Sequence, residues 1–164
     1  MSSQLAARRV NQRLMFASQQ LQLATQEGSN PFQAEGLRAS VIWHMEGAYR
    51  ALLAEIIRDP HIAHQLAEDL EPYSAVALME VFDDFPPAAI IHCAELEAGD
   101  TWLFGLQQAC SYVQGTRAPP AAPVRAGMIA SAVQSEMPDQ QQCRSWYEAL
   151  VDLVDQLREQ QIEY

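Results

Sequence analysis

An all-α fold, a bundle of helices, is predicted by the apolar pattern of residues 37–57 and by two supporting observations. Apolar side chains in this stretch recur at steps of three and four, which places them on one helix face. A second apolar stripe lies beside the first, as is typical of a helix that packs on more than one side. No segment shows the alternation of a strand, and 7 glycines are few for an all-β protein. The two stripes are Leu37, Val41, Met45, Ala48, Leu52 and Ile56, and Ile42, Tyr49, Leu53 and Ile57.

Three long helices are predicted, over about residues 4–27, 31–58 and 139–162. The first has a narrow apolar stripe, and Phe16 and Leu23 lie off it, where a third helix or a second subunit would contact them. Gly28 ends this helix, and Ser29 or Asn30 caps the next one, with Pro31 in its first turn. The first two helices therefore form an antiparallel pair joined by a short turn.

Several short helices are predicted between the long ones, near residues 61–70, 75–85, 87–97 and 102–113, separated by prolines and by Gly99-Asp100. Asp100 is the expected N-cap of the last of these, and Asp139 that of the final long helix. A Pro/Ala-rich loop, ordered or flexible, is expected at about 115–138. Together these elements predict a single helical domain over residues 1–164.

Composition excludes several kinds of partner. The chain has 164 residues and a formal net charge of -11, and all 10 of its basic residues are arginines. A strongly acidic chain is a poor ligand for nucleic acid or an anionic membrane surface, because both carry negative charge. The N-terminal residues lack the apolar core of a signal peptide, and no run is long enough for a membrane span. We therefore expect a cytoplasmic protein that binds another protein or a second copy of itself.

Cysteine usage does not indicate a disulfide framework, since the 3 cysteines are odd in number and widely spaced. Cys110 and Cys143 fall on apolar helix stripes, where a reduced cysteine acts as a small hydrophobic residue. No Ser-His-Asp order, glycine-rich phosphate loop or cysteine nucleophile is recognisable, so no catalytic or cofactor-binding residue is predicted.

A metal site is the sharpest alternative. His61, His64 and Glu68 share one helix face, and their side chains are ligands for zinc or iron. Because His61 and Glu68 are about 10 Å apart along the axis, only two of the three can reach one ion. A further ligand, such as His92, would complete a site for a divalent transition metal. Otherwise these residues form the solvated face of a short helix, and no cofactor is expected.

Two patterns of basic residues also allow alternative interpretations. Arg38 and His44 are similar to the Arg-and-His motif of helical-bundle ribonucleases, in which the histidine does acid-base work. The simpler interpretation is that His44 is a core histidine with a hydrogen-bond partner. Arg8, Arg9 and Arg13 form a basic patch that either docks an acidic partner or is ordinary surface charge.

A resemblance to a known family rests on three segments. They are NQRLMFA at 11–17, HMEGAYRALLAEI at 44–56 and LEAGDTWL at 96–103. These segments resemble a family of short all-helical bacterial proteins known only as a domain of unknown function. The resemblance covers about residues 1–115. It implies a small helical cytoplasmic protein, and it transfers no activity and no functional residue.

The sequence thus favours a non-enzymatic interaction or adaptor protein, with homodimer formation left open. Aromatic and methionine side chains are enriched at interface cores. Met15, Phe16, Trp43 and Tyr49 are the candidates for a groove or a dimer face, unless they belong to the core.

Overall fold

Six helices make up the described part of the chain. The structure is a computed structural model that describes residues 2–25, 30–59, 62, 72–82, 85–115 and 137–162. These ranges contain no strand, which confirms the all-α prediction. The helices are α1 (Ser3–Ala24), α2 (Pro31–Ile57), α3 (Ala75–Val81), α4 (Ala88–Ala98), α5 (Trp102–Val113) and α6 (Gln140–Ile162).

Helices α1 and α2 form an antiparallel pair with the most extensive helix–helix interface among the described elements. The start of α2 is fixed by Asn30, whose side-chain oxygen accepts the N–H of Phe32 at 3.0 Å. Pro31 occupies the first turn, where its missing N–H costs no hydrogen bond. Asn30, rather than Ser29, is thus the cap observed here.

Helix α2 is central, because it packs against α1, α4, α5 and α6. Both predicted apolar stripes are buried apart from Leu37 at the start, which is half-buried. An arc of this width leaves α2 little solvated surface, and the face that stays open becomes the site described below.

Helix α6 is tied to the pair by Arg158. Its Nε and Nη2 donate to the two carboxylate oxygens of Glu55 on α2, each at 2.9 Å. Its Nη1 donates to Oδ1 of Asn11 on α1 at 3.0 Å. A two-pronged pair of this kind fixes orientation as well as distance, so it sets the position of α6 across the first two helices.

Helix α4 positions α3 through a buried carboxylate. Glu97, only 6% exposed, accepts the N–H groups of Ala75 and Val76 at the first turn of α3, at 2.8 and 3.0 Å. It also accepts the hydroxyls of Ser74 at 2.6 Å and Tyr49 at 2.7 Å. These four donors satisfy the charge inside the protein, so Glu97 links α2, α3 and α4.

Helix capping confirms one prediction and corrects another. Asp139 caps α6, where its Oδ1 accepts the N–H of Gln142 at 2.8 Å. The predicted cap Asp100 is wrong: Thr101 caps α5, and its hydroxyl accepts the N–H of Phe104 at 3.3 Å. The same hydroxyl donates to the Leu96 carbonyl at the end of α4. One threonine therefore serves both helix ends, which Asp100 does not do.

Two predicted segments fall outside the description. Of the short helix at 61–70 only Ile62 is described, and of the Pro/Ala-rich loop only its two ends are described. In the described ranges, no helix has the length and apolarity to cross a membrane.

Candidate functional site: an arginine-lined groove

A groove of about 790 Å³ lies along the exposed side of the α1–α2 pair. We call it the arginine groove, because Arg9 and Arg13 of α1 and Arg50 and Arg58 at the α2 side line it. Trp43 and Tyr73 add aromatic rings to the same lining. Its volume is within the range of ligand-binding clefts in proteins, about 300–1,000 Å³.

Small residues on α2 leave room for the groove. Gly47, Ala51 and Ala54 recur at steps of four and three, so they share one helix face and contribute to the lining. Arg50 and Arg58, eight positions apart, line the groove together with this floor. Large apolar side chains here would have closed the space against α1.

The charge of the groove is opposite to that of the chain. Four of the 10 arginines line it, and Glu46 is the one acidic residue among the described lining residues, while the chain carries a formal -11. Within the described ranges, Arg9 has no hydrogen-bond or ion-pair partner. The groove is therefore a local positive region that attracts anionic groups.

Glu46 holds Arg50 in place. Its carboxylate pairs with Arg50 Nε one turn further along α2, and its side chain is only 9% exposed, whereas that of Arg50 is 47% exposed. Burial raises the pKa of Glu46, and the Arg50 charge opposes that rise. Among the described residues only Nε of Arg50 is engaged, by this pair, which leaves its terminal nitrogens for a ligand.

Arg13 is positioned by His44 and Gly47 of α2. Its Nη1 lies 3.2 Å from His44 Nδ1, and the Phe16 ring packs at 5.3 Å from the imidazole centroid. A Cβ on Gly47 would lie 3.2 Å from Arg13 Nε, so the glycine lets the side chain lie closely over α2. Phe16 thus contacts α2 through His44, and it supports this arrangement.

His44 is the acceptor in this pair, since arginine has no acceptor atom. Its Nδ1 must carry a lone pair, so the imidazole is neutral with its proton on Nε2. Burial and the neighbouring Arg13 charge both lower the pKa of His44, which favours that neutral form.

A second, smaller pocket of about 260 Å³ adjoins the groove. We call it the amide pocket, because the glutamines 107, 108 and 114 of α5 and its cap line it together with Ser111. Four residues line both spaces, namely Glu46, Arg50, Tyr73 and Gln114. The groove and the amide pocket are therefore two parts of one cleft.

The predicted basic patch is divided by the structure. Arg9 and Arg13 line the groove, whereas the neighbouring Arg8 is exposed outside it. Arg38 and His44, the pair considered for ribonuclease chemistry, project about 120° apart around α2 because they are six positions apart. Arg38 lies near Cys143 on α6, and His44 lies against Arg13, so the structure does not bring them together.

The predicted metal ligands His61, His64 and Glu68 lie outside the described residues. His92 is described and lies on α4. Over the ranges that the structure describes, no group of three or more histidine, cysteine or acidic side chains is placed to hold a metal ion.

The four candidate interface residues differ in exposure. Met15 and Trp43 are 49% and 47% exposed, and Phe16 is half-buried. Tyr49 is wholly buried and donates to Glu97, so it belongs to the core rather than to a groove or dimer face. Its hydroxyl explains the difference, because a buried phenol needs a partner and Glu97 supplies one.

Arg50, Arg58 and Tyr73 were missed by the sequence analysis, although the sequence held a signal for the first of them. Two antiparallel helices rise equally per residue, so positions equally far from the turn lie level. With the predicted turn centred near residue 29, Arg9 is expected level with about residue 49 and Arg13 with about residue 45. This register places Arg50 beside Arg9. The position of Tyr73 depends on α3 and has no such local signal.

The fold and this groove define an all-helical protein with a positively charged cleft on an acidic chain. The chain belongs to a family of unknown function, DUF6586, whose model matches residues 1–164. The expected membership in a family of unknown function is thereby confirmed, and the match extends past residue 115 to the whole chain. No curated protein and no solved structure matches the chain.

Proposed function

We propose that the protein is a non-enzymatic interaction module that docks an acidic segment of a partner protein in the arginine groove. The observation that carries the proposal is the grouping, among the lining residues that the structure describes, of four arginines with one glutamate on a chain of net charge -11. The net negative charge of the chain repels an acidic partner, so the electrostatic interaction with such a partner is most favourable in the groove.

The residue types of the lining support binding to a protein. Trp43 is 47% and Tyr73 is 65% exposed, although both are large and largely apolar. Tryptophan, tyrosine and arginine are the residues that dominate binding energy at protein interfaces. The cationic groups are all arginines, which stay charged at any physiological pH and suit recognition better than proton transfer.

A labelled glutamate-rich peptide tests the proposal by fluorescence anisotropy. Binding should weaken about tenfold in each of three single variants, Arg9→Ala, Arg13→Ala and Arg50→Ala, since a charge-assisted hydrogen bond contributes about 1.5 kcal/mol. Arg8→Ala is the matched control, because Arg8 neighbours Arg9 on α1 and lies outside the groove. Binding should also weaken with added salt.

Two results would contradict the proposal. One is unchanged affinity when Arg9 and Arg50 are both replaced by alanine in a protein whose circular dichroism is that of the wild type. The other is an equal loss in the Arg8→Ala control, which would show a general effect of charge.

The same purified protein tests the remaining alternatives. Sedimentation velocity over a range of concentrations shows whether the acidic partner is a second copy of the chain; a homodimer interface in the groove should dissociate in Arg50→Ala. Elemental analysis by mass spectrometry tests the His61, His64 and Glu68 site, for which we expect no stoichiometric metal.

A further inference from the structure

The arginine groove is long, and the amide pocket opens beside it at the shared residues Glu46, Arg50, Tyr73 and Gln114. The groove lining along α2 and its C-cap runs from Trp43 to Arg58, about 22 Å at the helical rise. The groove carries positive charge, and the amide pocket carries mostly uncharged polar groups. A ligand that fills both therefore needs anionic groups along one part and uncharged hydrogen-bonding groups along the other.

Two amides of the pocket have unused hydrogen-bonding capacity. Among the described residues, the Gln107 side chain has no hydrogen-bond partner. The Gln114 Nε2 donates to Cys110 Sγ at 3.3 Å, and no described donor engages its Oε1. The two glutamines are seven positions apart, about two turns, so they lie on one face of α5.

A side-chain amide offers one acceptor and two donors, which match the C=O and N–H of a peptide group. A partner segment in extended conformation has these main-chain groups free, whereas a helical segment satisfies them internally. About seven extended residues span 22 Å, so a short peptide fits the length of the cleft. A sugar phosphate also carries polar groups, but it is much shorter than the cleft.

We infer that the docked acidic segment is bound in extended conformation. Its carboxylates pair with Arg9, Arg13 and Arg50 in the arginine groove, and its main-chain amides bind Gln107 and Gln114 in the amide pocket. This inference rests on the proposed function, since it names the form in which that function's partner is recognised.

Two anionic probes separate the contributions. The first is a linear glutamate-rich octapeptide, and the second is inorganic polyphosphate, which has charge and length but no amide. Affinities are measured by isothermal titration calorimetry. Gln107→Ala should weaken the peptide about fivefold, the loss of a net hydrogen bond, and leave polyphosphate within about twofold. Arg50→Ala should weaken both probes, and Gln141→Ala, an exposed glutamine on α6, should change neither.

The outcomes distinguish the inference from the proposed function. Unchanged peptide affinity in Gln107→Ala, with the Arg50→Ala loss intact, overturns the extended segment and keeps the groove as the docking site. An equal loss of affinity for the peptide and for polyphosphate in Gln107→Ala also overturns the extended segment. So does tighter binding of a helix-stapled peptide than of the linear one. If neither probe binds the wild-type protein, the proposed function fails and this inference fails with it.

Discussion

The Arg13 guanidinium donates to the His44 imidazole across the α1–α2 interface, with 3.2 Å between Nη1 and Nδ1. The contact requires neutral His44, so the position of Arg13 in the arginine groove depends on the protonation state of His44. Protonation of His44 would replace the hydrogen bond by repulsion between two cations.

Stability should therefore depend on pH through His44. Burial and Arg13 hold the pKa of His44 in the folded protein below its usual value of 6.5. At pH values between the two, the unfolded chain therefore binds more protons than the folded protein does. The stabilisation that neutral His44 provides is complete at pH values above the pKa of His44 in the unfolded chain. It is lost as the pH falls toward the lower pKa of His44 in the folded protein. Urea unfolding at pH 7.5 and 5.5 should show that the free energy of unfolding falls more between these pH values for the wild type than for His44→Gln.

His92→Gln is the control for this experiment, since His92 lies on α4, away from the Arg13 contact. It should retain the pH dependence of the wild type. An identical pH dependence in His44→Gln and the wild type would contradict the prediction.

Glu97 should be one of the most sensitive polar positions in the core. Replacing it with glutamine removes one acceptor oxygen and places an NH₂ group against the Ser74 hydroxyl and the Val76 N–H. We expect Glu97→Gln to lower the free energy of unfolding by about 2–3 kcal/mol, because buried donors lose their partner. Glu95→Gln, at an exposed position on the same helix, should change it by less than about 0.5 kcal/mol. Equal effects of the two substitutions in urea unfolding would refute the role of Glu97.

Two helical glycines should respond to alanine with opposite signs. No atom of the described residues lies within 4 Å of a Cβ built on Gly36, so Gly36→Ala should stabilise the protein by about 0.5–1 kcal/mol through helix propensity. A Cβ on Gly105 would lie 3.0 Å from the Trp146 ring, between α5 and α6. Gly105→Ala should therefore destabilise by about 1–3 kcal/mol, because the buried indole has little room to move. Thermal unfolding measures both, and a rise in Tm for Gly105→Ala would show that α5 and α6 separate easily.

Gly47→Ala should separate binding from stability. The new methyl group would press on Arg13, while the helix gains propensity, so stability should change by less than about 1 kcal/mol. Affinity for the glutamate-rich peptide should nevertheless fall several-fold, because Arg13 leaves its position over α2. Gly36→Ala is the control on the same helix and should bind as the wild type does. Wild-type affinity in Gly47→Ala would mean that the glycine does not set the position of Arg13.

The three buried cysteines should be unreactive in the native protein. Burial raises the pKa of Cys93 to about 12 and those of Cys110 and Cys143 to about 11, so almost no thiolate forms at pH 8. A chromogenic disulfide reagent should label none of them under native conditions and all of them in denaturant. Rapid labelling of the native protein would show that a segment covering a cysteine opens easily.

Local features of the sequence were sufficient for the helices. The periodicity of residues 37–57 predicted the buried arc of α2, and the three long helices lie within a few residues of their predicted bounds. Asn30 with Pro31, and Asp139, are capping signals contained in a few neighbouring residues. Such signals depend on short-range hydrogen bonds and side-chain direction, which the chain carries wherever it is placed.

The arginine groove was only half visible in the sequence. Arg9 and Arg13 are close along α1, so their patch could be predicted, but Arg50 joins them only through the register of two packed helices. Tyr49 illustrates the opposite error, since an aromatic residue suited to an interface proved to be core once Glu97 was found opposite its hydroxyl.

The sequence by itself determined the all-α class, the long helices with most of their caps, and the acidic charge of the chain. Only the tertiary structure decided which arginines face one another, that Glu97 binds the start of α3, and that Gly47 makes room for Arg13. The reason is physical: helix formation depends on neighbours three and four positions apart, whereas the groove depends on side chains more than 30 positions apart, such as Arg13 and His44.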